Sequence, residues 1–249
     1  MFMERIYFKS RDIMQMKPIF MDKGTESTKY YFECDGIKYV VNIFQGEDSE
    51  IIKNKISKIE NLSEFQFSKN IILPNKIVYL NDEPMGFTTI LQEGTHPLSE
   101  CKFDRKKKKI ELLSKAKELV VELNNNGIIH SDILDHNFIT DGNEVYLLDM
   151  LSCEFDNFKN YNNNFLYRYY LKNIGKIDEN FDIYSFNVMT YSILYRYYTP
   201  TAFTNIRLGN MSVFEKEKVL QMYKRLLLTK ANSYDDGFII DEYQKRIKK

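Results

Sequence analysis

Aromatic and β-branched residues are concentrated in short runs over the first ninety residues, and polar turn residues separate these runs. Runs of this composition predict β-strands. The pair Asp35-Gly36 between two of them is a strong hairpin signal. Between the strands, apolar residues recur every three or four positions from Ile52 to Leu62, which predicts a helix. The predicted strands cover residues 30–34, 38–44, 75–80 and 87–91.

Beyond Gly94 the pattern becomes mainly helical. Apolar residues from Leu112 to Leu123 form a wide stripe, and the polar run that ends at Gly127 stops this predicted helix. Two short strand-like segments and two further helices are then predicted, at residues 127–130, 144–148, 182–197 and 213–228. The layout predicts an α+β protein with a small β-rich lobe, a connector near Gly94 and a larger α-rich lobe. Clefts between such lobes are favoured sites for ligands.

Net charge and composition exclude some classes of function. The 249 residues carry 35 Lys and Arg against 35 Asp and Glu, so the formal net charge is zero. A dedicated nucleic-acid-binding protein usually has a basic excess, and we therefore expect no nucleic-acid partner. No run approaches the ~20 apolar residues of a membrane span, and the N-terminus lacks the apolar region of a signal peptide. We expect no membrane segment.

The cysteines indicate the redox environment. Cys34, Cys101 and Cys153 are far apart and form no C-x-x-C pair, which argues against structural zinc and against a disulfide framework. Free thiols of this kind suit a reducing compartment. The sequence therefore predicts a cytoplasmic protein.

The chemistry-bearing residues are concentrated in one stretch. His130, Asp132 and Asn137 have the spacing H-x-D-x-x-x-x-N, and Asp149 follows a short apolar run twelve residues further on. In this pattern the chain resembles the protein-kinase-like phosphotransferase superfamily, as a small, divergent, bacterial-type Ser/Thr kinase. The segment that begins at Asp182 resembles the central helix of the family's C-lobe, whose Asp supports the backbone of the catalytic loop.

The resemblance implies a fold and a set of roles. It implies a two-lobed protein-kinase-like fold, with a single domain over residues 1–249, an N-lobe over about 1–90, a hinge over about 90–95 and a C-lobe over about 96–249. ATP and Mg²⁺ are the implied cofactors, with ATP in the cleft between the lobes. Asp132 is then the catalytic base, Asn137 and Asp149 are the metal ligands, and His130 braces the loop. These types of side chain suit the roles, because carboxylate and amide oxygens are hard ligands for Mg²⁺ and a carboxylate can deprotonate a hydroxyl group.

The resemblance also assigns a nucleotide-binding set in the first lobe. Its members are the remaining glycine of a phosphate loop, a strand position, a helix acid, a residue at the back of the pocket and two hinge residues: Gly24, Asn42, Glu60, Thr89, Leu91 and Glu93. Lys29, on the preceding strand, is a conceivable substitute cation for this set.

Several positions depart from the family pattern. Asn42 takes the position of the Lys that contacts the α- and β-phosphates, and Leu134 takes that of a cation that contacts the transferred phosphate. A neutral hydrogen bond is about half as strong as a charge-assisted one, so the phosphate-neutralising charges are depleted. Ser131 replaces the Arg that reads a phosphorylated activation segment in many kinases. This substitution predicts that activation by that route is absent.

The expected function is ATP- and Mg²⁺-dependent transfer of the γ-phosphoryl group to a hydroxyl group, with Ser or Thr of a protein as the favoured acceptor. One alternative is a catalytically impaired pseudokinase that binds nucleotide or a partner protein. A second is a small-molecule kinase, and a third is transfer of the nucleotide instead of the phosphate. Retention of Asp132, Asn137 and Asp149 favours activity, whereas the loss of Lys at Asn42 and of a cation at Leu134 favours the pseudokinase.

Overall fold

The chain divides into two compact units, Met1–Glu93 and Gly94–Lys249. This division is seen in a computed structural model that describes residues 3–19, 27–100, 106–160, 165–195, 221, 238–241 and 243. The first unit is β-rich and the second is mainly helical, so the protein has the predicted α+β class. The assignment of both units to one kinase-like domain stays a prediction.

The first unit is built on a six-stranded mixed sheet, with strand order β1-β5-β6-β4-β3-β2. Strand β1 pairs in parallel with β5, and the other pairs are antiparallel. Two helices accompany the sheet in the part of this unit that the structure describes. The elements are β1 (Glu4–Phe8), α1 (Ser10–Gln15), β2 (Lys17–Pro18), β3 (Ser27–Cys34), β4 (Ile37–Phe44), α2 (Ser49–Leu62), β5 (Lys76–Leu80) and β6 (Glu83–Ile90).

Turn chemistry explains the two predicted hairpins of this sheet. Asp35 and Gly36 have φ of 52° and 74°, and Asn81 and Asp82 have φ of 50° and 70°. Positive φ at both central residues gives the turn whose twist matches that of the flanking strands, and Asn, Asp and Gly are the residues that best tolerate it. Both predicted hairpins are therefore present, β3–β4 and β5–β6.

The two faces of this sheet carry different residues. Val41 and Ile43 of β4 form a core cluster with Ile13 of α1 and Val78 of β5, and Tyr30 and Phe32 pack against the cluster as well. Because strand residues alternate between faces, the even-numbered residues of β4 lie on the opposite face. On that face the rings of Phe44 and Phe87 lie 5.9 Å apart, and Lys55 Nζ of α2 lies 5.1 Å from the Phe44 ring. Helix α2 therefore covers this second face.

Within the described residues, the second unit has a small three-stranded sheet and three named helices. The sheet order is β7-β8-β9, all antiparallel. Helix α3 begins the helical part, and the elements are β7 (His96–Pro97), α3 (Lys106–Asn125), β8 (Phe138–Thr140), β9 (Val145–Leu147), α4 (Phe165–Ile174) and α5 (Glu179–Tyr195). The apolar stripe of α3 is buried as predicted, from Leu112 to Leu123. No helix in the described part of the chain is long and apolar enough to cross a membrane.

Some sequence predictions differ from the structure. Residues 127–130 form a loop that is joined to a distant segment by one bridge, Ile129 to Glu154, and are not a strand. The parallel strand β1 and the helix α4 are additional elements. The predicted helix over 213–228 lies outside the described residues, apart from Gln221.

Candidate functional site

The loop between α3 and β8 carries three of the predicted site residues. His130, Asp132 and Asn137 are exposed by 0%, 7% and 4%, so all three side chains are enclosed by protein. Gly127, with φ of 72°, ends α3 and turns the chain into the loop. A short 3-10 turn over Asp135–Asn137 then leads into β8. The loop is therefore held between a helix end and a strand start.

Asn137 lies against Asp132. Its amide nitrogen donates hydrogen bonds to Asp132 Oδ2 at 3.0 Å and to the Asp132 backbone oxygen at 2.9 Å. Neither bond uses the Asn137 side-chain oxygen. The arrangement fixes the Asp132 carboxylate and leaves an amide oxygen beside it as a hard donor atom for a cation.

His130 connects the loop to the end of β9. Its Nε2 lies 2.9 Å from the Leu148 backbone oxygen, and its Nδ1 lies 3.3 Å from the Asp132 backbone nitrogen. The Leu148 oxygen accepts a hydrogen bond from Nε2, and Nδ1 faces the Asp132 N–H. The imidazole therefore joins the loop to the end of β9, and both of its ring nitrogens contact backbone atoms.

Asp149 follows β9 after one residue, Leu148, and lies at the same end of the strand pair as Asn137. The Leu148 backbone nitrogen donates to the Asn137 backbone oxygen at 2.8 Å, which sets the two segments side by side. Asp149 itself is exposed, has the left-handed φ of 60°, and accepts a hydrogen bond from Ser152 Oγ on its Oδ2 at 2.8 Å. A left-handed φ is uncommon for a residue other than glycine, although Asp is one of the residues that adopt it most often.

The oxygen atoms that could bind a divalent cation belong to one amide and to carboxylates. No group of three or more His, Cys, Asp or Glu side chains that could hold a metal occurs among the residues the structure describes. The two predicted ligands are the Asn137 amide and the Asp149 carboxylate, and Asp132 lies beside the amide. Mg²⁺ is typically held by one or two carboxylates and completes its shell with water and substrate phosphates, so a set of this size fits it.

The Asp182 carboxylate, near the start of α5, is hydrogen-bonded to the backbone of the loop. It accepts the backbone N–H groups of His130 at 2.7 Å and of Ser131 at 2.9 Å, and it is fully buried. Burial raises the pKa of Asp182 to about 6, and the two backbone hydrogen bonds and His130 partly oppose this rise. The predicted supporting role of this Asp is visible in these contacts.

Two further side chains of the loop region were not predicted from the sequence. The acceptors around Asn124 orient its amide nitrogen towards Ile128 O at 3.0 Å and Asp182 Oδ2 at 3.2 Å. Asn160 donates to Ser131 Oγ at 2.8 Å, and this hydroxyl donates in turn to the Ser152 backbone oxygen at 2.6 Å. The Asn-rich composition of both segments was the only signal in the sequence, and it does not identify partners.

Ser131 and Leu134 occupy two positions where the resemblance implies cations. Ser131 is fully buried, has φ of 55°, and joins the loop to residues 152 and 160 through neutral hydrogen bonds. Leu134 belongs to a core cluster with Tyr170, Phe181 and Tyr184. The Ser131 side chain is therefore used in hydrogen bonds, and the Leu134 side chain in apolar packing, within the second unit.

The predicted nucleotide-binding residues lie in the first unit. Asn42 is 4% exposed, and its amide nitrogen donates to the Val40 backbone oxygen at 3.3 Å. Thr89 pairs with Val40, so it shares the Asn42 face of the sheet. Leu91 donates its backbone N–H to Lys38 O at 2.9 Å, and exposed Glu93 binds Lys38 Nζ at 2.5 Å. Gly24 lies outside the described residues.

Glu60 does not lie on the buried side of its helix. It is exposed, whereas Lys58 and Ile59 are buried. The resemblance assigns Glu60 as the helix acid, and the spacing of apolar residues alone does not locate the covered side of α2. The buried charged residue of this helix turn is a lysine instead.

No protein-family model matches this chain, and a search of curated proteins gives no significant match.

Proposed function

We infer that this protein is an ATP- and Mg²⁺-dependent phosphotransferase of the protein-kinase-like type, which transfers the γ-phosphoryl group to a hydroxyl group. The observation that carries the proposal is the contact between Asp132 and Asn137 in a loop that Asp182 and His130 hold in place. This is the arrangement that phosphoryl transfer needs from a protein, because the reaction depends mainly on positioning and on charge. The α+β class and the division after Glu93 are compatible with a kinase-like fold.

The residues of the loop take distinct roles in this proposal. Asp132 accepts the proton of the acceptor hydroxyl group, and the Asn137 amide holds its carboxylate in one orientation. Asn137 and Asp149 would hold Mg²⁺ through oxygen atoms, and the bound ion would supply positive charge to the phosphates. His130 acts as a positioning residue, since both of its ring nitrogens contact backbone atoms.

The favoured acceptor is Ser or Thr of a protein. Support comes from Asp182, whose place at the start of a long apolar helix resembles protein kinases more than small-molecule kinases. A small-molecule hydroxyl acceptor is the alternative within the same chemistry. Cys34 and Cys153 are free thiols, which supports the proposal of a reducing cytoplasmic location.

A pseudokinase is the second candidate, and a specific observation favours it. Leu134 packs among tyrosine and phenylalanine side chains, and Asn42 brings no charge to its strand. A protein with both features would bind nucleotide or a partner without turnover. The kinase and the nucleotide-binding form of the pseudokinase share the nucleotide and differ only in the chemical step.

A thermal-shift titration with ATP, with and without Mg²⁺, tests the part that the candidates share. We expect ATP to raise the unfolding temperature, and to raise it further with Mg²⁺, because a ligand that binds only the folded state stabilises it. Absence of a shift at millimolar nucleotide would contradict the kinase and the nucleotide-binding pseudokinase, and would leave a protein that binds a partner only. Mass spectrometry of a modified acceptor then separates phosphoryl transfer from nucleotide transfer by the mass added.

A further inference from the structure

A series of hydrogen bonds joins Asp149, a predicted metal ligand, to the loop that carries Asp132. Ser152 Oγ donates to Asp149 Oδ2 at 2.8 Å, and this bond does not involve Oδ1. The Ser152 backbone oxygen accepts in turn from Ser131 Oγ at 2.6 Å, and Asn160 Nδ2 donates to the Ser131 hydroxyl at 2.8 Å. Two serine hydroxyls therefore link the Asp149 carboxylate to the loop.

The turn from Asp149 to Cys153 is held by buried groups, although the Asp149 carboxylate is exposed. Two backbone hydrogen bonds close the turn, from Ser152 N–H to Asp149 O at 3.1 Å and from Cys153 N–H to Met150 O at 3.3 Å. Met150 and Cys153 are exposed by only 2% and 0%. Asp149 is exposed, so a ligand in solution can reach its side chain. Within the described residues, Ser152 Oγ is the hydrogen-bond donor to that side chain and therefore orients it.

The Ser131 hydroxyl acts from a fixed backbone. Ser131 is fully buried and has φ of 55°, a left-handed conformation that is costly for a residue other than glycine and persists only where the surroundings hold it. The Asp182 carboxylate holds it here, because it accepts the Ser131 N–H at 2.9 Å. A hydroxyl on a backbone fixed in this way can keep the carbonyl group of Ser152 in one position.

We propose that Ser131 and Ser152 are positioning residues for the metal ligand Asp149. Ser152 orients the carboxylate that would bind Mg²⁺, and Ser131 holds the backbone of Ser152. Carboxylates that bind metals are themselves hydrogen-bonded by neighbouring groups, and the loss of such a neighbour lowers the affinity for the metal. This inference rests on the proposed function, because Asp149 is a metal ligand only in that proposal.

Hydrogen exchange of the metal-free protein tests the role of Ser131. Ser131→Ala accelerates exchange at the Ser152 and Cys153 amides by about fivefold, the factor for the loss of one hydrogen bond. Ser131→Gly has the same effect, because it also lacks the hydroxyl group, although glycine adopts φ of 55° without strain. Ser114→Ala removes a hydroxyl that donates to Ile110 O at 2.7 Å in α3 of the same unit. It is the matched control and leaves both amides unchanged.

A Mg²⁺ titration at a fixed ATP concentration, followed by thermal shift, tests the role of Ser152. Ser152→Ala raises the Mg²⁺ concentration that gives half of the additional shift by about tenfold, and leaves the shift with ATP alone unchanged. Ser152→Thr keeps the hydroxyl group, so its Mg²⁺ midpoint stays within about threefold of that of the original protein. Ser114→Ala changes the unfolding temperature but not the Mg²⁺ midpoint, as expected for a variant with a structural effect only.

The outcomes separate this inference from the proposed function. An unchanged Mg²⁺ midpoint in Ser152→Ala, or an equal change in Ser152→Thr, overturns the role of Ser152. Unchanged exchange in Ser131→Ala overturns the role of Ser131, and each of these results leaves the proposed function standing. If Mg²⁺ gives no additional shift in the original protein, the proposed function fails, and this inference fails with it.

Discussion

The Asp182 carboxylate accepts a hydrogen bond from the backbone N–H of His130 at 2.7 Å, although the two residues are 52 positions apart along the chain. A second bond, from the Ser131 N–H at 2.9 Å, occupies the other carboxylate oxygen. Through these bonds, the start of α5 determines the path of the loop that carries Asp132. The candidate site therefore depends on a buried group that does not itself face a ligand.

Asp182→Asn should destabilise the protein at neutral pH by about 1–3 kcal/mol. The amide nitrogen of Asn would face a backbone N–H donor, so one of the two hydrogen bonds would be lost and two donors would oppose each other. Denaturant unfolding followed by circular dichroism measures the change. Asp178→Asn is the matched control near the same helix start, because Asn keeps an oxygen for the Asn180 N–H that Asp178 Oδ1 accepts. Equal stability of the two variants would contradict the role of Asp182.

The same carboxylate should give a pH dependence of stability. Burial raises the pKa of Asp182 to about 6, whereas an unfolded chain has an Asp pKa of ~3.9. The folded protein binds this proton more tightly, so the contribution of Asp182 is greatest below about pH 4 and falls as the pH rises towards 6. The difference in unfolding free energy between the original protein and Asp182→Asn should shrink by up to about 1.4 kcal/mol per pH unit in that window. A difference that does not vary with pH would show that the two states bind the proton equally.

Asn160→Ala should loosen the segment that follows Asp149. The Asn160 amide donates to Ser131 Oγ, and Ile129 and Glu154 exchange two backbone hydrogen bonds close by. Loss of one such side-chain bond costs about 1 kcal/mol. Hydrogen exchange should therefore accelerate at the amides of Ile129 and Glu154, about fivefold. Asn173→Ala, which removes an exposed bond to Tyr169 O, serves as the control and should leave these amides unchanged.

The hairpins were predictable from the sequence because their signals are local. Asp35-Gly36 and the run at Asn81 carry turn chemistry that neighbouring residues do not override, and the apolar stripe of α3 is equally local. The parallel pairing of β1 with β5 joins residues about seventy positions apart, and no local pattern specifies it. The exposed position of Glu60 was missed for a related reason, since tertiary packing decides which side of α2 is covered.

The candidate site was also predictable only in part. The spacing of His130, Asp132 and Asn137 identified a loop whose side chains the structure joins by hydrogen bonds. The contacts of Asn124 and Asn160 were not predictable, because an Asn side chain bonds to whatever donor or acceptor the fold brings near it.

Asp149→Asn should weaken the dependence on Mg²⁺ without unfolding the protein. Asn keeps the shape and tolerates the left-handed φ of 60° but removes the negative charge that a divalent cation requires. The additional thermal shift that Mg²⁺ produces in the presence of ATP should fall by at least half, while the shift with ATP alone persists. Asp156→Asn, at an exposed position with φ of 48°, is the control for backbone conformation and charge. An equal effect of the two variants would exclude Asp149 as a ligand.

The central claim is that Asp132 acts as the base in phosphoryl transfer to a hydroxyl group. Its most direct test is the rate at which radiolabelled γ-phosphate moves from ATP to a Ser/Thr-containing acceptor protein with Mg²⁺, compared between the original protein and Asp132→Asn. We predict measurable transfer by the original protein and a loss of about 10²–10⁴-fold in the variant, the range for removal of a general base, with ATP binding retained. Equal rates in the two proteins would contradict the assignment of Asp132, and ATP binding without any transfer by the original protein would identify a pseudokinase.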